Sequence, residues 1–318
     1  MDRILDIHII FSDKDKKYLP NLIEQCKNFR IENSLNDWKI FIYVHDNSGE
    51  KNIGQFQKRL EIIRQTPEDH FIWFVDGDDE VINNVDLKNG DFDEVDMFSF
   101  SYQMNVFSAE EEKNTRAQIY SYQENIVIDA SEHPRIWRFN KSIPLLELVG
   151  ISLWSKWIKA SCWKGVYEYL KNLGYENIRP NSSEDCFFVI YALKNTHQIH
   201  YNRSAPYFYH NERSYIFNEE KLIPFEKFKN FRKDHREITD AISKIDSNPS
   251  IKQFLINDYC CHLQKALSCI EIRKALNDVI NEFGEDKMFK ALILSNMHLR
   301  HPYVKYIVGK YLTNKETN

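Results

Sequence analysis

The chain has 318 residues, 42 % of them hydrophobic and 28 % charged, with a formal net charge of −5. This is ordinary globular usage and excludes wholesale disorder. The acidic balance gives no basic face for phosphate neutralisation, so nucleic acid is not an expected partner. No run approaches the ~18 apolar residues of a membrane span. The N-terminal apolar run is strand-length and meets Asp13-Lys14-Asp15-Lys16-Lys17, unlike a signal peptide, so the expected location is cytoplasmic.

Glycine is scarce: 9 residues, where average usage gives about 22. Any glycine inside a motif therefore carries weight. The six cysteines, at 26, 162, 186, 260, 261 and 269, form no C-x-x-C pair and sit among apolar residues. They read as packed thiols.

Residues 4–11 (ILDIHIIF) predict a buried strand, followed by helical spacing at Leu19, Leu22, Ile23, Cys26 and Phe29. Residues 39–45 predict a second strand, which stops at the turn formers Asp46-Asn47-Ser48-Gly49. Phe56, Leu60 and Ile63 suggest another helix, and residues 71–75 (FIWFV) a third strand ending in Asp76-Gly77-Asp78-Asp79. Residues 95–102 read as a fourth. Apolar strands alternating with amphipathic helices imply an α/β fold with a mainly parallel sheet covered on both faces. Ligands bind such sheets beyond the strands' carboxyl ends, and both acidic turns fall there.

Further on, Glu110–Glu112 reads as a solvated loop tip and residues 119–129 as a hairpin. Ser182-Ser183-Glu184-Asp185 before an apolar run is a helix start. Residues 197–209 read as strands around Pro206. Residues 219–245, 249–283 and 285–299 show helical patterns without a convincing strand, and suggest an all-helical C-terminal appendage.

Three carboxylates within four residues repel one another unless a cation is shared. Hard divalent ions such as Mg²⁺ bind one or two carboxylates plus substrate phosphates. There is no G-x-G-x-x-G, P-loop, H-E-x-x-H or G-x-S-x-G. The Asp76–Asp79 turn is thus the strongest chemical feature, against the plain alternative of a solvated turn. Glu184-Asp185 can be a helix N-terminus favoured by the helix dipole, a catalytic pair, or both.

Phe71–Asp79 resembles the D-x-D motif of family-2 glycosyltransferases with a GT-A fold. Val44–Ser48 is similar to the family's second-strand Asp-Asp-x-Ser turn, and Asn52-x-Gly54 with Arg59 resembles its N-x-G…A-R-N segment. Ser183-Glu184-Asp185 resembles the motif carrying the catalytic base, and Tyr207-x-Tyr209-His210 with Arg213 the closing segment. The resemblance covers residues 4–216. The first strand departs from it, ending Phe11-Ser12-Asp13 instead of Pro-x-Tyr-Asn, and Leu60 replaces an Asn.

The resemblance implies a GT-A catalytic domain over 1–216, with a nucleotide-sugar half to about 102 and an acceptor half after it, and a helical region over 217–318. It implies nucleotide contacts from Phe11, Asp46, Ser48, Arg59, Asp76 and Arg213. A divalent cation (Mn²⁺ or Mg²⁺) falls to Asp78 with His210 and Asp76. Asp185 is the expected base, with Glu184 second. The implied activity is inverting transfer from a nucleotide diphosphate sugar, UDP favoured by family frequency. The implied acceptor is a glycan or lipid-linked saccharide of lipopolysaccharide or capsule synthesis.

Trp154 and Trp157 are candidates for an acceptor-sugar platform, against plain core packing. The basic stretch Lys227–Arg236, interleaved with Phe228 and Phe231, reads as a peripheral membrane contact, a solvated helix face or a homo-oligomer contact. Two other functions compete: a sugar-phosphate nucleotidyltransferase and a non-catalytic glycan- or partner-binding protein. The absence of glycine in residues 11–20 argues against the first, and the joint presence of Asp76, Asp78, Glu184 and Asp185 against the second.

Overall fold

Runs of branched and aromatic residues build the first strands of the computed structural model. It describes residues 2–88, 92–108, 113–119, 125–130, 150–180, 184–210, 237–238 and 240–245. The elements are β1 (Arg3–Phe11), α1 (Leu19–Asn28), β2 (Ile31–Glu32), β3 (Trp38–Asp46), α2 (Gln55–Gln65), β4 (Phe71–Asp76), β5 (Glu80–Val81) and β6 (Val85–Asp86). They continue with β7 (Val95–Ser108), β8 (Lys113–Ile119), β9 (Ile126–Asp129), β10 (Lys156–Lys159), α3 (Val166–Leu173), α4 (Glu184–Asn195) and β11 (Gln198–Tyr209).

The main sheet runs β3-β1-β4-β10-β7-β11-β5. β1 is parallel to β3 and β4, and β11 is parallel to β7. Short β10 is antiparallel to both β4 and β7. β1, β3, β4, β7 and β11 therefore point one way, and the sheet is the expected mainly parallel α/β layer, with β5, β8, β9 and β10 running in the opposite direction. Register aligns the carboxyl ends: Phe11 pairs with Asp46, and Ile10 with Asp76. Because β10 is reversed, its amino end and the 152–155 turn reach the same edge.

Alternation along the strands sorts side chains onto two faces. Phe71, Trp73 and Val75 pack with Leu22, Cys26 and Phe29 of the α1 side. Ile72 and Phe74 pack with Phe56 and Leu60 of α2 and Phe187 and Phe188 of α4. Helix α4 is apolar all round; every residue from Cys186 to Leu193 is buried. A helix of that kind belongs inside, and only its first turn, with Glu184 and Asp185, is acidic.

One local expectation lies partly outside the described residues, and another changes. Of the expected hairpin over 119–129 only Ile119 and residues 125–129 are described; Ile119, at the end of β8, pairs with β7, and β9 pairs with β11. Residues 198–209 are one strand, with a register break between Asn202 and Tyr207 that accommodates Pro206. Cys26, Cys162 and Cys186 are buried in the core, as the expectation of packed thiols has it. The expected C-terminal helical region lies outside the described residues except at 237–238 and 240–245. There Ile238, Ala241 and Ile242 join the α4-side core, and Tyr175 donates to Asp240 at 2.8 Å. Among the described residues no helix is long and apolar enough to cross a membrane.

Candidate functional site

A cavity of about 210 Å³ opens at the carboxyl ends of β1 and β4, bounded by the end of β11 and the first turn of α4. Its floor depends on Gly77. The Gly77 N–H donates to the Ile10 carbonyl at 2.9 Å, and a Cβ at this position would stand 2.7 Å from the Phe11 Cβ. Only glycine lets the 76–79 turn lie this close to β1. One of the scarce glycines is thus explained by contact with the neighbouring strand end.

The three aspartates of the turn face three different partners. Asp79 is buried and ties the turn to β11, accepting from the Tyr207 hydroxyl at 2.7 Å and the His210 N–H at 2.8 Å. Burial, then Asp76 and Asp78, push its carboxyl well above the usual range. Asp76 lies on the α2/α4 side of the sheet. Its Oδ1 accepts from Gln55 at 2.5 Å and Arg59 at 3.1 Å. Burial lifts its pKa to about 6 against the pull of Arg59. Asp78 faces Lys14, whose Nζ is 3.4 Å from Oδ2. Burial raises the Asp78 carboxyl although Lys14 opposes that rise.

Arg59 joins the turn to α4. It is 1 % exposed and pairs with Asp76, with Glu184 at 3.5 Å and with Asp185. Burial alone would lower its pKa, but the three carboxylates outweigh burial and raise it. Asp185 is held on both oxygens: Arg59 takes Oδ1, and the Leu153 N–H donates to Oδ2 at 3.1 Å. Glu184 lines the cavity, and burial followed by Asp185 lifts its pKa to about 7.

The Asp46 turn has opposite electrostatics. Asp46 accepts from the Ser48 N–H at 3.1 Å and from its hydroxyl, and pairs with Lys51 at 2.9 Å. These donors, Ser48 first, bring its pKa down to about 2. The cavity wall here is Asn47, whose N–H donates to the Phe11 carbonyl at 2.9 Å. Asp46 and Ser48 stand on either side of it in sequence, outside the lining, whereas Phe11 lines the cavity.

Several expected site residues lie away from the cavity wall. Arg59 is enclosed by Asp76, Glu184 and Asp185 and links the two acidic segments. Trp157 is fully buried beside Trp38, Trp73 and Phe100 in the α1-side core, so it offers no face to a sugar. Trp154 is 8 % exposed and stacks on Tyr207 and Tyr209, which leaves little ring open. Arg213 lies outside the described residues.

The expected metal set of Asp76, Asp78 and His210 is not assembled. Asp76 is turned to Arg59 and Gln55, and the His210 Nε2 lies 2.7 Å from Glu80. Among the described residues no three His, Cys, Asp or Glu side chains form a metal-holding group. The donor chemistry still fits a cation that takes Asp78 and completes its oxygen shell from phosphates. Asp15, Asp76, Asp78, Asp79 and Glu184 line the cavity with one lysine, Lys14.

Sequence reasoning missed Lys14, Gln55, Tyr207 and Lys156. Lys14 sits in a charged run after the first strand, and Gln55 carries no motif signal. Tyr207 was noticed only as part of a motif, and Lys156 is a lysine within an apolar stretch.

No protein-family model matches the chain, and no curated protein matches it by sequence. Among solved structures it is similar to residues 1–349 of S. aureus TarS in complex with UDP-GlcNAc, at 14 % identity and a TM-score of 0.47, covering 90 % of this chain and 79 % of that one. The same TarS fragment in complex with UDP is 13 % identical with a TM-score of 0.43, covering 96 % and 91 %. A longer S. aureus TarS structure is 14 % identical with a TM-score of 0.46, covering 96 % of this chain and 50 % of that one.

Proposed function

We propose that the chain is a glycosyltransferase that moves a sugar from a nucleotide diphosphate sugar, with UDP as the nucleotide, to an acceptor hydroxyl. The observation that carries this reading is Arg59. It ties Asp76 of the 76–79 turn to Glu184, both of which line the cavity at the strands' carboxyl ends, and to Asp185 next to Glu184. Donor binding and proton removal need two such groups at adjoining places.

The donor's diphosphate lies along the 76–79 turn near Lys14, and the nucleoside reaches toward Phe11 and Asn47. A divalent cation, when bound, would be held by Asp78 with diphosphate oxygens and would supply Lewis-acid stabilisation of the departing diphosphate. Lys14 contributes a fixed positive charge beside the same oxygens. The acceptor sits by the first turn of α4. Its oxygen attacks the anomeric carbon as the bond from that carbon to the phosphate oxygen breaks, and its proton passes to Asp185. Attack opposite the leaving group inverts the anomeric configuration. Glu184, with a pKa of about 7, is partly protonated at neutral pH. That limits repulsion beside Asp185, the carboxylate paired with Arg59.

The test is release of UDP from a panel of UDP-sugars with Mn²⁺, with and without saccharide acceptors. Turnover that disappears in Asp78→Asn supports the reading. Absence of turnover across UDP-, GDP- and dTDP-sugars, in protein shown to be folded, overturns it.

A further inference from the structure

Asp185 has a second support that reaches it through the backbone. Lys156 opens β10, and its side chain is 1 % exposed. A buried ammonium needs close partners. Its Nζ donates to the Ser152 carbonyl oxygen at 2.5 Å and to the Ser155 hydroxyl at 3.1 Å. The Ser152 carbonyl and the Leu153 N–H belong to the same peptide group. That N–H donates to Asp185 Oδ2 at 3.1 Å. Ammonium, peptide and carboxylate therefore lie in series.

Hydrogen bonds in series polarise one another. A cation on the carbonyl oxygen draws electron density from the peptide nitrogen and makes its N–H a stronger donor. Arg59 holds the other carboxylate oxygen from α2. Arg59 and Lys156 thus fix Asp185 from opposite elements, the arginine directly and the lysine Nζ through a peptide. Burial pulls the Lys156 pKa down to about 7, and Asp185 opposes that fall, so the two groups interact electrostatically. The reversed direction of β10 explains the placement, because it brings the 152–155 turn to the edge where α4 begins.

We propose that Lys156 is a positioning residue for acceptor activation: through the Ser152–Leu153 peptide it orients Asp185 toward the acceptor hydroxyl. It transfers no proton itself. The proposal rests on the reading of Asp185 as the base.

Lys156→Met is the informative variant, because replacing a buried charge with an apolar chain of similar length is often neutral or stabilising. Two readouts are taken together with Tm. The first is UDP release from a UDP-sugar. The expected result is kcat lower by roughly 10- to 100-fold, the scale of a misplaced reacting group, with the donor KM unchanged. The double variant Lys156→Met/Asp185→Asn is expected to be no slower than Asp185→Asn. The second is the Leu153 amide proton resonance in ¹⁵N-leucine-labelled protein, expected to move upfield in Lys156→Met without any substrate present.

Wild-type kcat in Lys156→Met beside an inactive Asp185→Asn overturns the proposal. So does a Leu153 resonance that responds to Asp185→Asn but not to Lys156→Met. Full activity in Asp185→Asn instead removes the base assignment. If Lys156→Met does not fold, Lys156→Leu, which likewise removes the donor, is read by the same two measurements. Wild-type kcat and an unmoved Leu153 resonance there would equally overturn the proposal.

Discussion

Two acidic turns end strands separated only by β1 in the sheet, yet their chemistry runs in opposite directions. Asp46 is bonded by Ser48 and Lys51, and its pKa falls to about 2. Asp76 and Glu184 face an enclosed acidic cavity, and their pKa values rise to about 6 and 7. Local donors and solvent settle the first turn. The second is crowded by burial and like charge, and it is tolerated only because buried Arg59 compensates. The lesson is that carboxylate count says little; the placement of the compensating cation decides which turn can do chemistry.

The largest effect expected is loss of transfer in Asp185→Asn, by about 10²- to 10⁴-fold in kcat, measured as UDP release. Nucleotide affinity should hold, because Asp185 is outside the donor's place. Next is Arg59→Leu. Removing one partner of a buried ion-pair cluster leaves uncompensated carboxylates and costs about 3–5 kcal/mol. Urea unfolding should show it, and an unchanged midpoint would mean that the acidic cavity does not need its arginine.

The pH dependence sharpens the contrast. The folded-state pKa of Glu184 lies above its ordinary value of 4.5, so the native state holds the proton longer than the unfolded chain. Its contribution to stability is complete below about pH 4.5 and is lost as pH rises through about 7. Glu184→Gln should therefore flatten the fall in stability between pH 5 and 8, seen in urea midpoints. Asp46 has the opposite sign: its contribution is present above its ordinary pKa and is lost only as pH falls through about 2. Asp46→Asn should leave the stability profile between pH 5 and 8 unchanged. It is the smallest effect, and a clear pH-dependent change in this variant would break the comparison.

Much of the first half was legible because its signals are local. Apolar runs at 4–11, 39–45 and 71–75 became β1, β3 and β4, with the acidic turns at their ends as expected. The acidic start of α4 was equally readable from Ser182–Asp185. The middle of the chain was less legible because its pairings are distant. Lys156–Lys159 inserts between strands that begin about sixty and eighty-five residues earlier, and no local pattern announces that. The site was read in part. The acidic motifs were visible, but a fully buried arginine looks like a helix-surface charge until the opposing carboxylates are placed around it. Trp154 and Trp157 misled for the same reason: an aromatic side chain suited to a sugar face is equally suited to the core.

The central claim is that the acidic cavity takes a nucleotide diphosphate together with a cation at Asp78. Isothermal titration of UDP, with and without Mn²⁺, into the wild-type chain and Asp78→Asn tests it directly. The account predicts binding that depends on Mn²⁺ and is lost in Asp78→Asn while the variant keeps its fold. UDP binding that is equal without metal and unchanged in Asp78→Asn would contradict it.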